Sequence, residues 1–120
     1  MTAKHTFPAR TAELEALGEF VQQHGLGPLV ELGVTELVTN AILHGGARCI
    51  RVRVDPASGQ LWVYDNGQGF NPLEALPRPM GELREGGYGV AIIHKVFRNL
   101  RYCRRRGWNC IRARFGEVEK

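Results

Sequence analysis

The clearest periodicity in the chain lies in Glu31-Leu-Gly-Val-Thr-Glu-Leu-Val-Thr-Asn-Ala-Ile-Leu-His44. There Val30, Val34, Leu37, Val38 and Ala41 recur at helical spacing. The pattern predicts a helix with one buried face, opened by Pro28 and stopped by Gly45-Gly46. Upstream, Leu14, Leu17, Phe20 and Val21 predict a shorter amphipathic helix, with Thr11 as its N-cap and His24-Gly25 as its end. Met1 to His5 reads as a frayed start, and Thr6-Phe7-Pro8 as a short edge strand, because a strand proline is confined to an edge.

After Gly46 the pattern changes to alternation. Ile50, Val52 and Val54 alternate with Arg51 and Arg53, while Leu61, Val63 and Asp65 share one strand face and Trp62 and Tyr64 the other. Asp55-Pro-Ala-Ser-Gly59 between them has turn chemistry, so the two runs read as an antiparallel hairpin. Val90 to Phe97 is apolar enough for a buried helix. Leu100 to Arg105 and Cys110 to Phe115 read as a second hairpin turning at Arg106-Gly107, with Ile111, Ala113 and Phe115 inward and Arg112 and Arg114 outward. Asn66 to Gly89, rich in proline and glycine, is a long irregular connection of the kind that often forms a lid. Helix, helix, hairpin, helix, hairpin implies an α+β two-layer sandwich: helices on one face of a largely antiparallel, mixed sheet.

Composition narrows the class. A chain of 120 residues holds one core, so one domain over 1–120 is expected. Hydrophobic content of 43% and charged content of 23% are ordinary for a globular protein. No apolar run reaches the roughly 20 residues of a membrane span. The N-terminus lacks a basic-then-apolar export signal, so a cytoplasmic setting with no membrane is expected. Cys49, Cys103 and Cys110 show no close metal-ligand spacing and read as small apolar residues in a reducing compartment. The net charge of +4 is unevenly spread. No acidic residue falls between Glu85 and Glu117, while Lys95, Arg98, Arg101, Arg104, Arg105, Arg106, Arg112 and Arg114 do. Such a half attracts nucleotide phosphates, nucleic acid or an acidic protein; a solvated sheet face reads the same way.

Three groups of residues carry candidate chemistry. Glu36 and Asn40 project from the same side of the predicted long helix, with Gly33 a turn before and His44 a turn beyond. A carboxylate and a carboxamide beside a core face can act as base and metal ligand, or form a plain polar edge. Asp65 falls on an inward face, where a carboxylate is costly without good hydrogen bonds. A ligand amino group such as adenine's would satisfy it, and so would its own Asn-Gly turn. Asn66-Gly-Gln-Gly69 permits a tight turn and close approach of backbone to a ligand. Gly86-Gly-Tyr-Gly89, directly before a helix, offers amide hydrogens to an anion, or is a simple loop-to-helix junction.

In this order, Glu36-x-x-x-Asn40, Asp65-x-Gly67-x-Gly69 and Gly87-x-Gly89 resemble the Bergerat-type (GHKL) ATP-binding fold of gyrase, Hsp90, MutL and histidine kinases. Glu36-Leu-Val-Thr-Asn40-Ala-Ile-Leu-His44, Asp65-Asn-Gly-Gln-Gly-Phe70, Gly87-Tyr-Gly-Val-Ala-Ile-Ile93 and the opening Phe7-Pro-Ala-Arg are most similar to the small anti-sigma factor serine/threonine kinases. The resemblance covers nearly the whole chain. It implies Glu36 as general base and Asn40 as the Mg²⁺ ligand bridging ATP phosphates. Asp65 would receive the adenine amino group, with Gly67 and Gly69 shaping the pocket. His44, Phe70, Gly86, Gly87, Gly89 and Val90 complete the ATP-binding set that it implies. Where the family often has Gly-Thr beside the nucleotide, this chain has Asn109-Cys110, and histidine kinases usually have Asn where Glu36 stands.

The implied activity is ATP-dependent phosphorylation of an anti-sigma factor antagonist by a protein that also binds a sigma factor. The implied family commonly forms homodimers, and direct nucleic-acid binding is not expected. Two other readings stay open. One is a non-catalytic ATP-binding switch for protein partners. The other is a nucleic-acid-binding domain using the basic C-terminal sheet, with Trp62, Tyr102 and Trp108 as stacking groups.

Overall fold

The structure is a computed structural model and describes residues 2–69 and 89–116. Phe70, Gly86 and Gly87, with the expected lid, lie outside the described residues; Gly89 and Val90 are described as helix backbone only. The elements are β1 (Ala3–Pro8), a 3-10 turn (Thr11–Glu13), α1 (Leu14–Gln23), α2 (Pro28–Leu43), β2 (Cys49–Asp55), β3 (Gln60–Asp65), α3 (Gly89–Val96), β4 (Arg98–Arg105) and β5 (Trp108–Arg114).

The strands form one sheet in the order β1-β2-β3-β5-β4. Every pairing in it is antiparallel. The expected mixed sheet is thus purely antiparallel among the described residues, and connectivity explains it. Two helices separate β1 from β2, so the chain re-enters the sheet from the end at which it left. The crossover through α3 carries the chain from β3 to the far edge at β4, and the tight hairpin at Arg106-Gly107 returns β5 between them. Both turn residues have positive φ, 55° and 82°. Such a two-residue turn matches the twist of the flanking strands.

Local details refine the sequence reading. β1 begins at Ala3, so His5 belongs to the edge strand instead of a frayed start. Thr11 opens the 3-10 turn and is not an N-cap: Arg10 is the extended residue before it, and the Arg10 carbonyl accepts from Glu13 N at 3.0 Å. Gly27, at φ 91°, delivers the chain into α2 with Pro28 in its first turn. β4 starts at Arg98 and carries an irregularity between Arg98 and Arg101, where Asn99 takes φ 54°. Phe115 lies just past β5, half-buried against the core, and its amide donates to Gly59 O at 2.9 Å.

The core forms where the apolar stripes of the helices meet the inward face of the sheet. Leu17, Phe20 and Val21 of α1, Val30, Val34, Leu37 and Val38 of α2, and Ile93 of α3 pack with Ile50, Val52, Val54, Leu61, Val63, Ile111 and Ala113. Each fully buried aliphatic side chain contributes about 1.5–3 kcal/mol. Phe97, just after α3, lies against α2 at Gly33. A Cβ at Gly33 would stand 2.6 Å from Phe97 Cε2 and 3.1 Å from Val96 Cγ1. Helix propensity favours alanine over glycine by about 1 kcal/mol, but overpacking a fixed ring costs about 1–3 kcal/mol. Gly33→Ala is therefore expected to lower stability, by up to about 2 kcal/mol in urea unfolding; an unchanged midpoint would show that the ring yields freely.

Candidate functional site

Sheet register sets the site. On the inward face, Asp65 of β3 stands opposite Asn109 of β5, which stands opposite Arg104 of β4. The pleat therefore places a carboxylate, a carboxamide and a guanidinium-bearing side chain on one rung. Asp65 is 8% exposed and Asn109 2%. A buried carboxylate needs donors, and Asp65 Oδ1 accepts from Gly67 N at 2.9 Å and from Asn109 Nδ2 at 3.0 Å. The Asn109 amide also donates to Gln68 O at 2.9 Å. Its oxygen accepts from Tyr102 Oη at 2.6 Å and Arg104 Nη1 at 3.0 Å. Arg104 Nη1 reaches on to Gly67 O at 2.9 Å. Asn109 thus uses both ends of its amide to lock Asp65 and the turn after it.

That turn is fastened to the end of α2. Asn66 Oδ1 accepts from Arg48 N at 2.8 Å and Cys49 N at 2.9 Å. Gln68 N donates to Gly45 O at 2.9 Å. A Cβ on Gly67 would overlap the Gly45 carbonyl and lie 3.0 Å from Ala47 N. The glycine at 67 is thus demanded by the protein's own backbone, in addition to the tight turn and the ligand approach that the sequence suggests for this run. The nearest atoms to a Cβ added at Gly69 belong to the flexible Arg104 side chain, with Cδ at 3.3 Å.

On α2, Glu36, Asn40 and His44 follow one another by single turns. Asn40 is buried, Glu36 half-buried, and His44 exposed as the C-cap residue. Leu37 and Ala41, one position after Glu36 and Asn40, line a narrow cleft with Gly45, Val63, Asp65, Asn109 and Ile111. The cleft measures about 10 Å³, room for one water molecule. Glu36 and Asn40 are each rotated about 100° around the helix from the cleft-lining residues, both to the same side. Burial raises the Glu36 carboxyl above its usual range, which makes it a stronger base.

Fit to the expected ligands can be judged from these donors. A purine amino group needs a fixed acceptor at the end of an apolar slot, and Asp65 at the cleft supplies it. Mg²⁺ keeps several waters and takes only one or two protein oxygens beside phosphates, so the single Asn40 carboxamide suits it. No cluster of three metal-ligating side chains occurs among the described residues.

A larger open groove of about 700 Å³ lies elsewhere, lined by Arg51, Trp62, Tyr64, Arg101, Cys103 and Arg112 among others. Those residues alternate with the core-facing ones, so the groove is on the outer face of the sheet, away from Asp65. Arg53 lies over the Trp62 ring, 4.4 Å from its centroid. Size alone would favour this groove, but the fixed buried carboxylate sits at the small cleft.

The architecture is a helical layer on one face of an antiparallel sheet, with that carboxylate at the strand end facing α2. The chain belongs to the histidine kinase-like ATPase domain family, which it matches over residues 7–115. It is also similar to the serine/threonine-protein kinase BtrW of Bordetella bronchiseptica, 30% identical over 70 residues. That match spans 55% of this chain and 49% of the relative, about half its length. No helix among the described residues is long and apolar enough to cross a membrane.

From the sequence, Asn109 stands out only as a departure from a family pattern. The available signal is its alternation with Ile111 and Ala113: an asparagine on an inward strand position needs partners. Tyr102 and Arg104 alternate in the same way with outward Cys103 and so belong to the same face.

Two outcomes follow. Asn109→Ala takes one of two donors from the buried Asp65 carboxylate, together with the contacts to Tyr102, Arg104 and Gln68, and should cost about 1–3 kcal/mol in urea unfolding; a neutral result would show the network to be dispensable. For Glu36, a raised folded-state pKa means that its stabilising share is present below the ordinary carboxyl pKa and lost as pH rises through the raised value. Glu36→Gln should therefore gain stability relative to wild type between about pH 4 and about pH 7. Parallel unfolding midpoints at those two pH values check the sign.

Proposed function

We propose that the chain acts as one ATP-binding domain and is an ATP-dependent serine/threonine protein kinase of the anti-sigma type. It binds a sigma factor and phosphorylates an antagonist protein. The observation that carries the reading is the buried Asp65 carboxylate, its Oδ1 fixed by Gly67 N and Asn109 Nδ2, beside the helix that bears Glu36 and Asn40. Membership of a kinase-like ATPase family and similarity to a serine/threonine-protein kinase support it.

In this reading Asp65 accepts the adenine amino group through its remaining lone pairs. The cleft between Leu37, Ala41, Val63 and Ile111 widens to take the base. Asn40 would hold Mg²⁺, which would supply charge neutralisation at the phosphates. Glu36 takes the proton from the acceptor hydroxyl, and partial burial suits it to that work. Phosphoryl transfer otherwise needs mainly positioning. Gly67 and Gly69 shape the turn under the base, and His44, Phe70, Gly86, Gly87, Gly89 and Val90 complete the nucleotide's surroundings. The arginines of β4 and β5 steer an acidic partner surface, an attraction that weakens as salt shortens its reach to about 8 Å.

Calorimetry should detect Mg²⁺-dependent binding of ATP and ADP, lost in Asp65→Asn. In a radiolabel-transfer assay with a candidate antagonist, Glu36→Gln should keep nucleotide binding and lose about 10²–10⁴ in transfer rate. No binding at millimolar nucleotide sinks the whole reading. Label released only as free phosphate makes the protein an ATPase. Neither transfer nor hydrolysis, with ATP still altering partner binding, makes it a non-catalytic switch.

A further inference from the structure

On the outer face of the β4–β5 hairpin, Cys103 stands directly opposite Cys110. Both thiols are free; Cys103 is exposed and Cys110 half-buried. Directly opposed residues of an antiparallel pair hold their Cα atoms about 4.5–5.5 Å apart, inside the about 4.4–6.8 Å that a disulfide spans. The two side chains interact: burial, and then the neighbouring Cys103 thiol, push Cys110 up to about 11. The third cysteine, Cys49, has Pro8 as its neighbour on β1. Both opposed cysteines line the open outer groove, which a small oxidant can enter.

The next rung of the same hairpin is Arg104 opposite Asn109, the pair that holds Asp65 and Gly67 from the inward side. Opposed Cβ atoms lie about 4.5–5.5 Å apart. Closing a disulfide draws them to about 3.8 Å, which twists both strands at that rung. Hydrogen bonds of 2.9–3.0 Å one residue away have little slack for such a twist.

We propose that Cys103 and Cys110 form a peroxide-sensitive dithiol whose oxidation to a disulfide weakens nucleotide binding at Asp65. The second half rests on the ATP-binding reading above. The oxidant is hydrogen peroxide. The exposed Cys103 thiolate attacks one peroxide oxygen, forming an S–O bond and breaking the O–O bond; the expelled hydroxide takes up a proton and leaves as water. Cys110 then gives up its thiol proton as its sulfur attacks the Cys103 sulfur, forming the S–S bond and breaking S–O, and the expelled hydroxide takes up that proton and leaves as a second water. Two thiols are oxidised while one peroxide is reduced.

The test treats the full reduced chain with hydrogen peroxide, alkylates remaining thiols, and maps peptides by mass spectrometry beside ADP calorimetry. The expected result is an intramolecular 103–110 link, reversed by dithiothreitol, with ADP affinity lowered about tenfold, the weight of one hydrogen bond to a charged group. Cys103→Ser and Cys110→Ser should bind ADP like reduced wild type and keep that affinity after peroxide, since neither can form the link. Over-oxidised cysteines without that link, a link to Cys49 or a link between chains overturns the dithiol. The link without a change in ADP affinity overturns its coupling to Asp65. Reduced protein that binds no ADP overturns the ATP-binding reading instead, and the peptide map still decides the dithiol.

Discussion

A carboxylate inside a protein has to be given donors, and much of this molecule's polar architecture serves one, Asp65. Strand alternation turns it inward with Leu61 and Val63, into a layer filled mostly by apolar side chains. Leaving it unpaired would cost more than most single core contacts contribute. The answer comes from two directions. The chain just after Asp65 folds back to offer the Gly67 amide, and the neighbouring strand offers Asn109. Each donor needs support of its own, which brings in Tyr102, Arg104, Gln68 and the end of α2.

The same alternation separates two kinds of surface by a single residue step. Inward positions of β3, β4 and β5 build the core and the polar rung. Outward positions present arginine, tryptophan, tyrosine and cysteine to an open groove. Chemistry on one face is therefore never more than a peptide unit from the other. Cys110 and Asn109 are the plainest case, since they are adjacent in the chain and serve opposite sides of the sheet.

Much of this was legible in the sequence because period is a local property. The helix over Glu31 to His44, both hairpins and the inward set Ile111 and Ala113 follow from spacing alone, and so does the α+β class. Asp65 stood out for the same reason, as a charge in an apolar face. Sheet order was not legible. Nothing local says that β5 inserts between β3 and β4, so the facing of Asn109 and Asp65 could not be foreseen. Thr11 was misplaced because a tight turn satisfies the backbone that an N-cap side chain would otherwise serve. The contact that makes glycine necessary at 67 was not legible, because its neighbour, Gly45, lies more than twenty positions away in the chain.

That last contact has a consequence for how such chains diverge. The atoms crowding position 67 belong to the main chain, so no compensating side-chain change elsewhere can make room for a larger residue there. The position is held by architecture whether or not a nucleotide is ever used. A descendant that changed what it binds would keep this glycine for as long as it kept the two turns in contact. The glycine of this Asp-x-Gly run is thus a requirement of the fold, and by itself says nothing about what the site binds.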